Sequence, residues 1–167
     1  GNVFEVHLVH ATTPITPENP GKPGQEVPNP NDPEHPHKIP ANFVPQTLTN
    51  TVMRDVTYVY EDGSQAEAPV HQTFTFTGNG VVDLVTGQLV TVENGKITGL
   101  ADGLTWTPDT DANFAAIAAK TADGYHVISV SGNGISGFTV DANGAVTAQT
   151  VNRDTASSTI KVVYAKT

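Results

Sequence analysis

The spacing in this chain that most suggests chemistry is Gly132-Asn133-Gly134-Ile135-Ser136-Gly137, a G-x-G-x-x-G that follows the strand-like Val127-Ile128-Ser129-Val130. In a dinucleotide site such glycines let the backbone approach a pyrophosphate at a helix N-terminus. Here Phe138-Thr139-Val140 continues as strand, so the helix that phosphate binding needs is missing. Asp109-Thr110-Asp111-Ala112-Asn113 imitates the first half of a calcium loop, whose oxygens at positions 1, 3 and 5 converge on the ion. Phe114 stands where that loop wants glycine and Lys120 where it wants a bidentate glutamate. Asp109, Asp111 and Asn113 are thus weak calcium candidates, and helix capping by Asp111 explains the acidic cluster more simply. His35-Pro36-His37 beside Asp32 and Glu34 offers surface imidazoles for a transition metal, with plain solvent exposure as the simpler reading. His7 and His10 fall on opposite faces of a strand and cannot share an ion. No pair of carboxylates is marked out as the acid and nucleophile of a glycosidase, and with no cysteine there is no thiolate nucleophile. A non-enzymatic protein without a resident metal or cofactor is the expectation.

The elements that hold these residues read mainly as strands. Val56, Tyr58 and Tyr60 alternate with Thr57 and Val59, and Glu61-Asp62-Gly63-Ser64 supplies a turn. Val70, Gln72, Phe74 and Phe76 share one face of the next strand, and His71, Thr73, Thr75 and Thr77 share the other. Thr86-Gly87, Asn94-Gly95 and Asn143-Gly144 mark further tight turns. Ile160, Val162 and Tyr164 line one side of a closing strand suited to the middle of a sheet. We expect the strand near Thr51–Tyr60 to pair in parallel with that near Thr159–Tyr164. Asp111 to Lys120 reads as the one helix: Asp111 can cap it, alanines favour it, and Phe114, Ile117 and Ala118 share a face.

Ten of the twelve prolines lie between Pro14 and Pro45. Pro14, Pro17, Pro20 and Pro23 repeat every third residue, the period of polyproline II, which predicts a semi-rigid spacer over 14–45. Upstream, Val3 to His10 alternates as a strand and reads as the end of a truncated preceding module, residues 1–13, with pairing onto an edge of the C-terminal domain as the second choice. Residues 46–167 are long enough for one domain with its own core. The net charge of -9, from 17 acidic and 8 basic residues, disfavours nucleic acid and anionic membranes. No apolar run reaches membrane-spanning length, so no membrane insertion is expected, and any anchoring signal is expected elsewhere in the parent protein.

Val56 to Gly63, Val70 to Phe76, Val82-Asp83-Leu84-Val85-Thr86-Gly87, Trp106-Thr107-Pro108, Phe114-Ala115-Ala116, Gly124-Tyr125 and Ile160 to Tyr164 together resemble the mucus-binding repeat (Mub or MucBP type) of lactic acid bacterial adhesins. Val6 to Thr13 followed by Thr16 to Gly24 resembles the junction between the halves of such a repeat. The resemblance implies a mainly β, α+β chain with a ubiquitin-like β-grasp domain and one short helix, preceded by the extended Pro-rich segment. It also implies tandem repeats as neighbours, cell-wall anchoring through other parts of the parent, and adhesion to mucin glycoproteins, with immunoglobulins as further partners. The chain departs from the pattern in a longer insert around Leu89 to Leu104.

An acidic chain gains nothing at long range from sialylated or sulfated glycans, so contact energy must come from aromatic stacking, hydrogen bonding and avidity. Trp106 and Tyr125 lie beside turn signals and are the first ligand-binding candidates, against the plainer reading that both fill the core. The threonine face of Thr73, Thr75 and Thr77 comes next, whereas Tyr58, Tyr60 and Tyr164 are in phase with the core. A repeat that serves only as a spacer, projecting other adhesive regions from the cell wall, is the alternative function.

Overall fold

A computed structural model describes residues 10–167, so the expected strand over Val3–His10 lies outside the described residues apart from His10. The described residues form strands β1 (Thr12–Ile15), β2 (Glu26–Val27), β3 (His37–Lys38), β4 (Thr49–Tyr60), β5 (Gln65–Asp83), β6 (Val90–Glu93), β7 (Lys96–Leu100), β8 (Thr105–Thr107), β9 (Ala112–Phe114), β10 (Tyr125–Asn133), β11 (Gln149–Val151) and β12 (Ser158–Lys166), and no helix. They divide into two compact units, one of residues up to Thr49 with Thr77–Asp109, the other of Asn50–Phe76 with Thr110–Thr167. The long β5 contributes its 65–76 part to the second unit and its 77–83 part to the first.

In the second unit β5, β4, β12 and β10 lie side by side in that order. The central pair β4 and β12 is parallel, with Val56 opposite Ile160 and Tyr60 opposite Tyr164, as the sequence predicts. β10 runs antiparallel along β12. A parallel central pair flanked by antiparallel strands gives a β-grasp-like sheet. The period-two pattern determines which side faces the core: Val56, Tyr58, Ile160, Val162 and Tyr164 are buried and pack with Phe138 and Val146. On β5 the phase also holds, with Phe76 buried, Phe74 half-buried, and His71, Thr73 and Thr75 exposed. Burial pushes the Tyr58 and Tyr164 phenols up, and the Tyr164 hydroxyl donates to the Lys120 carbonyl at 2.6 Å.

The helix expected over Asp111–Lys120 does not form. Ala112–Phe114 is β9 and pairs antiparallel with β11, and Ile117 bridges Val146. The reason is Arg54, which is fully buried on β4. Its Nη2 donates to the Ala115 carbonyl at 2.9 Å, its Nη1 to the Thr147 carbonyl at 2.8 Å and its Nε to Gln72 Oε1 at 2.8 Å. Gln72 Nε2 donates to the same Ala115 carbonyl at 3.0 Å. A carbonyl committed to tertiary donors contributes nothing to an intrahelical ladder, and a ten-residue helix is marginal in isolation. Tertiary bonding therefore overrides alanine's helical preference.

The first unit corrects the spacer expectation. β1 pairs antiparallel with β5 at Gly80–Asp83, β2 pairs with β3, and Thr16 and Asn19 exchange backbone hydrogen bonds at 3.1 and 3.0 Å. Ile15, Ile39, Phe43 and Leu48, drawn largely from the Pro-rich tract, form a buried cluster with Val82 and Leu84. Polyproline II would leave these side chains in water, and burying each is favourable by about 1.5–3 kcal/mol. The tract consequently folds back on itself. The insert near Leu89 to Leu104 becomes the β6–β7 hairpin, where Asn94 (φ 52°) and Gly95 (φ 76°) supply the two left-handed residues of a tight two-residue turn.

Asp83 holds the end of this unit's β5. Its Oδ1 accepts from the Val85 amide at 2.8 Å and the Thr86 amide at 3.4 Å, while its Oδ2 is bonded to His10 Nδ1 at 2.7 Å. Burial alone raises the carboxyl, but the His10 bond and the two amides outweigh it and hold Asp83 below the usual carboxylate range. A carboxylate depressed in the folded state gives stability above its unfolded value of about 3.9, and loses it as pH falls toward the lower folded value. Asp83→Ala is expected to lower stability at pH 7 by about 1–3 kcal/mol and to narrow the gap from wild type below pH 4. Urea titrations at pH 7 and pH 3 check this; an equal gap at both would contradict it.

Candidate functional site

One face of the second unit's sheet is covered by its core, and the other stands open. Period two places Thr51, Met53, Asp55, Thr57 and Val59 of β4 on the open side, because Val52, Arg54, Val56 and Tyr58 are buried. From β5 come His71, Thr73 and Thr75, and from β12 Thr159, Lys161 and Val163. Side-chain contacts tie the rows together: the Thr51 and Thr75 hydroxyls are 3.1 Å apart, and His71 Nδ1 is hydrogen-bonded to Asp55 Oδ1. Those two pairs fix the β4–β5 register, which sets Met53 opposite Thr73. Across the parallel pair Asp55 is opposite Thr159 and Thr57 opposite Lys161, and on β10 Ser131 is opposite Lys161.

The face is therefore rich in hydroxyls and carries few charges. Thr57, Thr73, Thr75, Thr159 and Ser131 are exposed, while the charged groups are the Asp55 carboxylate, the Lys161 ammonium and, further along the β5 row, the half-buried Glu67. Met53 provides an apolar patch, 39% exposed. Such a surface can exchange several hydrogen bonds with a polyhydroxylated ligand and carries no field that would steer a charged one.

The sequence-predicted aromatics lie elsewhere, one in each unit. Trp106 sits on β8 opposite Gly78 of β5 and is half-buried. A Cβ at position 78 would come within 3.2 Å of two ring carbons of the indole, so the bare glycine backbone gives Trp106 its seat. Tyr125, also half-buried, packs on the second unit's core with its ring centroid 4.6 Å from that of Tyr60. Tyr60 is thus partly rather than fully buried, whereas Tyr58 and Tyr164 are core residues as expected. Of the threonines, Thr73 and Thr75 lie in the second unit and are exposed; Thr77 falls in the first, half-buried, with its hydroxyl 3.5 Å from the Thr107 carbonyl.

The metal candidates are not assembled. Residues 112–114 are a strand where the calcium reading of Asp109, Asp111 and Asn113 requires a wrapped loop, and Asn113 is paired with Thr150. Among the described residues no group of three or more His, Cys, Asp or Glu side chains could hold a metal ion. His35 bonds to Asp32 at 2.8 Å, while His37 belongs to β3. The first two G-x-G-x-x-G glycines serve packing: a Cβ on Gly132 or Gly134 would lie 2.5 Å from the Thr159 carbonyl oxygen or 2.4 Å from that of Ser157, whereas Gly137 has open space around it and a positive φ of 79°.

Sequence reasoning missed Asp55 and Lys161. Their alternation with Val56 and Ile160 marks them as outward-facing, but which outward residues become neighbours depends on strand register. It missed Arg54 as well, whose place between buried Val52 and Val56 in a period-two run was the available signal.

Comparison with known proteins points to one family. Residues 44–167 match the family model described as the Muc B2-like domain. Among solved structures, Mub-RV is 21% identical at a TM-score of 0.46, over 71% of this chain and 53% of that one. A mucin-binding domain from Streptococcus pneumoniae is 20% identical at 0.46, over 71% of this chain and 92% of that one. The type 2 repeat of the mucus binding protein MUB from Lactobacillus reuteri is 20% identical at 0.42, over 95% of this chain and 60% of that one. The chain thus spans about half the length of Mub-RV. No curated protein matches. No helix among the described residues is long and apolar enough to cross a membrane. With its match running from residue 44 to the last residue, the chain belongs to the Muc B2-like domain family.

Proposed function

We propose that this chain is a non-enzymatic adhesion module of a bacterial cell-surface protein, and that residues 46–167 bind host mucin glycoproteins through the open face of the β5–β4–β12–β10 sheet. The observation that carries the reading is the exposed hydroxyl array of Thr57, Thr73, Thr75, Thr159 and Ser131 around the Asp55 carboxylate and the Lys161 ammonium. Sugars present the complementary donors and acceptors, and family membership makes mucin the glycoprotein to test first. Each such hydrogen bond contributes only about 0.5–1.5 kcal/mol, so one module binds weakly and tandem copies gain by avidity. Trp106 and Tyr125, half-exposed, are secondary stacking positions. Immunoglobulins are the second class of glycoprotein partner, and cell-wall anchoring belongs to other parts of the parent.

The test is retention on immobilised mucin. Thr73→Ala with Thr75→Ala is expected to reduce retention about tenfold, for two hydrogen bonds of about 0.7 kcal/mol each, with the melting temperature within a few degrees of wild type. Retention by wild type should change little between low and high salt, because the face has no cluster of basic groups and the chain is acidic. Normal binding by the double variant together with loss in Trp106→Ala or Tyr125→Ala would move the site to the aromatics. A wild-type chain, single or in tandem, that neither mucin nor a glycan array retains would instead favour the spacer role.

A further inference from the structure

The two lateral edges of the second unit's sheet are treated differently. Along residues 65–76 the outer edge of β5 carries Glu67, Pro69 and His71, and two of its groups are already engaged: Lys120 Nζ donates to the Ala68 carbonyl at 2.7 Å, and Gln72 Nε2 to the Ala115 carbonyl at 3.0 Å. Charge, proline and capping side chains are the usual protection of an edge against strand addition. β10, at the opposite end, has none of these, and its one irregularity is the register shift between Val127 and Ser129. Its nine residues, Tyr-His-Val-Ile-Ser-Val-Ser-Gly-Asn, contain no Pro, Lys, Arg, Asp or Glu, and among the described residues β10 pairs only with β12.

Beside this edge lies an open groove of about 520 Å³ lined by Val130, Ile135 and Val140 together with Asp141, whose Oδ1 accepts from the Asn143 and Ala145 amides. Ile128, which is the extra residue where the β10–β12 register shifts, is 46% exposed, and Ile135 is 41% exposed. A bare edge next to exposed isoleucines is a surface for an added strand, which gains main-chain hydrogen bonds along the edge and apolar contacts in the groove.

We propose that the occupant is β10 of a second copy of this chain, added antiparallel about a two-fold axis. Charge permits this partner. The chain carries 17 acidic residues against 8 basic ones, so most surfaces of two copies repel one another. β10 itself is a neutral stripe, so two copies can pair along it without opposing like charges within the strands, and the Asp141 carboxylate of each copy stays in the flanking groove. The strand is also self-complementary. An axis at Val130 sets Val130 opposite its own copy, Ser129 opposite Ser131 and the bulky, exposed Ile128 opposite Gly132, so the one large pair is the β-branched Val130 with itself. An antiparallel β10 pair is isologous and closes at two copies. The paired area is small for a permanent dimer, so association is weak and grows with local concentration, as at a crowded surface.

The absence of cysteine makes the test clean. Sedimentation of the full chain across a concentration series is expected to show the mean mass rising from 17.5 kDa toward twice that value. Ser131→Lys and Ile128→Lys, each placing an exposed ammonium on the edge, should hold the mass at the monomer value with an unchanged melting temperature. Val130→Cys, which the axis sets directly opposite its own copy, should form a disulfide-linked dimer under mild oxidation at least tenfold faster than Thr73→Cys on the sheet face. If a lysine variant unfolds, the cysteine pair still decides. A chain that stays at 17.5 kDa up to millimolar concentration, or equal cross-linking at both cysteines, overturns the proposal. So does a monomeric chain whose β10 amides are protected only when an unrelated extended peptide is added. These readouts contain no glycan, so they stand or fall separately from mucin binding.

Discussion

Arg54→Ala is expected to destabilise the second unit by about 3–5 kcal/mol, the range for stripping a partner from a buried charged network. The guanidinium is fully buried. Burial pushes its pKa below the ordinary arginine value, as desolvation of a cation must. Three neutral acceptors compensate it, on Gln72, Thr147 and Ala115. The rings of Phe138 and Phe114 also face it, with their centroids 4.8 and 5.6 Å from Cζ, close enough for cation–π attraction. Truncation leaves the Thr147 carbonyl without this donor, removes one of two from Ala115, and opens a cavity between the rings. Arg54→Lys should recover less than half of the loss, since a single ammonium cannot reach three acceptors arranged around a planar fork. Urea unfolding measures both variants. A loss under about 1 kcal/mol for Arg54→Ala would show that water or rearranged side chains replace the guanidinium at little cost.

Gly134→Ala should cost about 3 kcal/mol or more, while Gly124→Ala should cost about 1–2. Both glycines have positive φ, 69° and 78°, a region that costs an L-residue about 1–2 kcal/mol. They differ in what surrounds them. A Cβ on Gly134 would sit 2.4 Å from the Ser157 carbonyl oxygen and 3.3 Å from the Ser158 Cα, whereas one on Gly124 meets nothing within 4 Å. The obstruction at 134 is backbone next to the start of β12, so relief requires the strand itself to move, which adds overpacking strain of about 1–3 kcal/mol. Thermal or urea melts of the two variants measure the difference directly. Equal costs would mean that the segment 132–134 shifts away from β12 without penalty, and that the glycines have no packing role.

Much of the sheet is legible in the residue pattern. The alternation through β4, β5 and β12 identifies the strands and their buried sides, because a strand with one face in the core repeats with period two. The turns at Gly63, Gly95 and Gly144 are equally legible, since each needs a backbone conformation that glycine adopts without steric cost. Thr73 and Thr75 fall on the outward face for the same reason of period. The G-x-G spacing is visible too, but its use as clearance for the β12 carbonyls depends on a neighbour 23 to 27 residues further along the chain.

Local pattern gives the wrong answer where long-range partners supply the deciding energy. Asp111 to Lys120 has helical composition, yet the Ala115 carbonyl is claimed by Arg54 and Gln72, some 61 and 43 residues away, and Ala112–Phe114 is claimed by β11. The Pro-rich tract has polyproline spacing, yet Ile15, Ile39 and Phe43 find Val82 and Leu84, which no local period foretells. The candidate site divides in the same way. Alternation with core residues is enough to turn Thr73, Thr75, Asp55 and Lys161 outward, and that much is written in the chain. That Asp55 meets His71 and Thr57 lies beside Lys161 is a property of the folded sheet, because strand order and register depend on how the whole core packs, and a shift of one residue would turn each of these side chains to the opposite face.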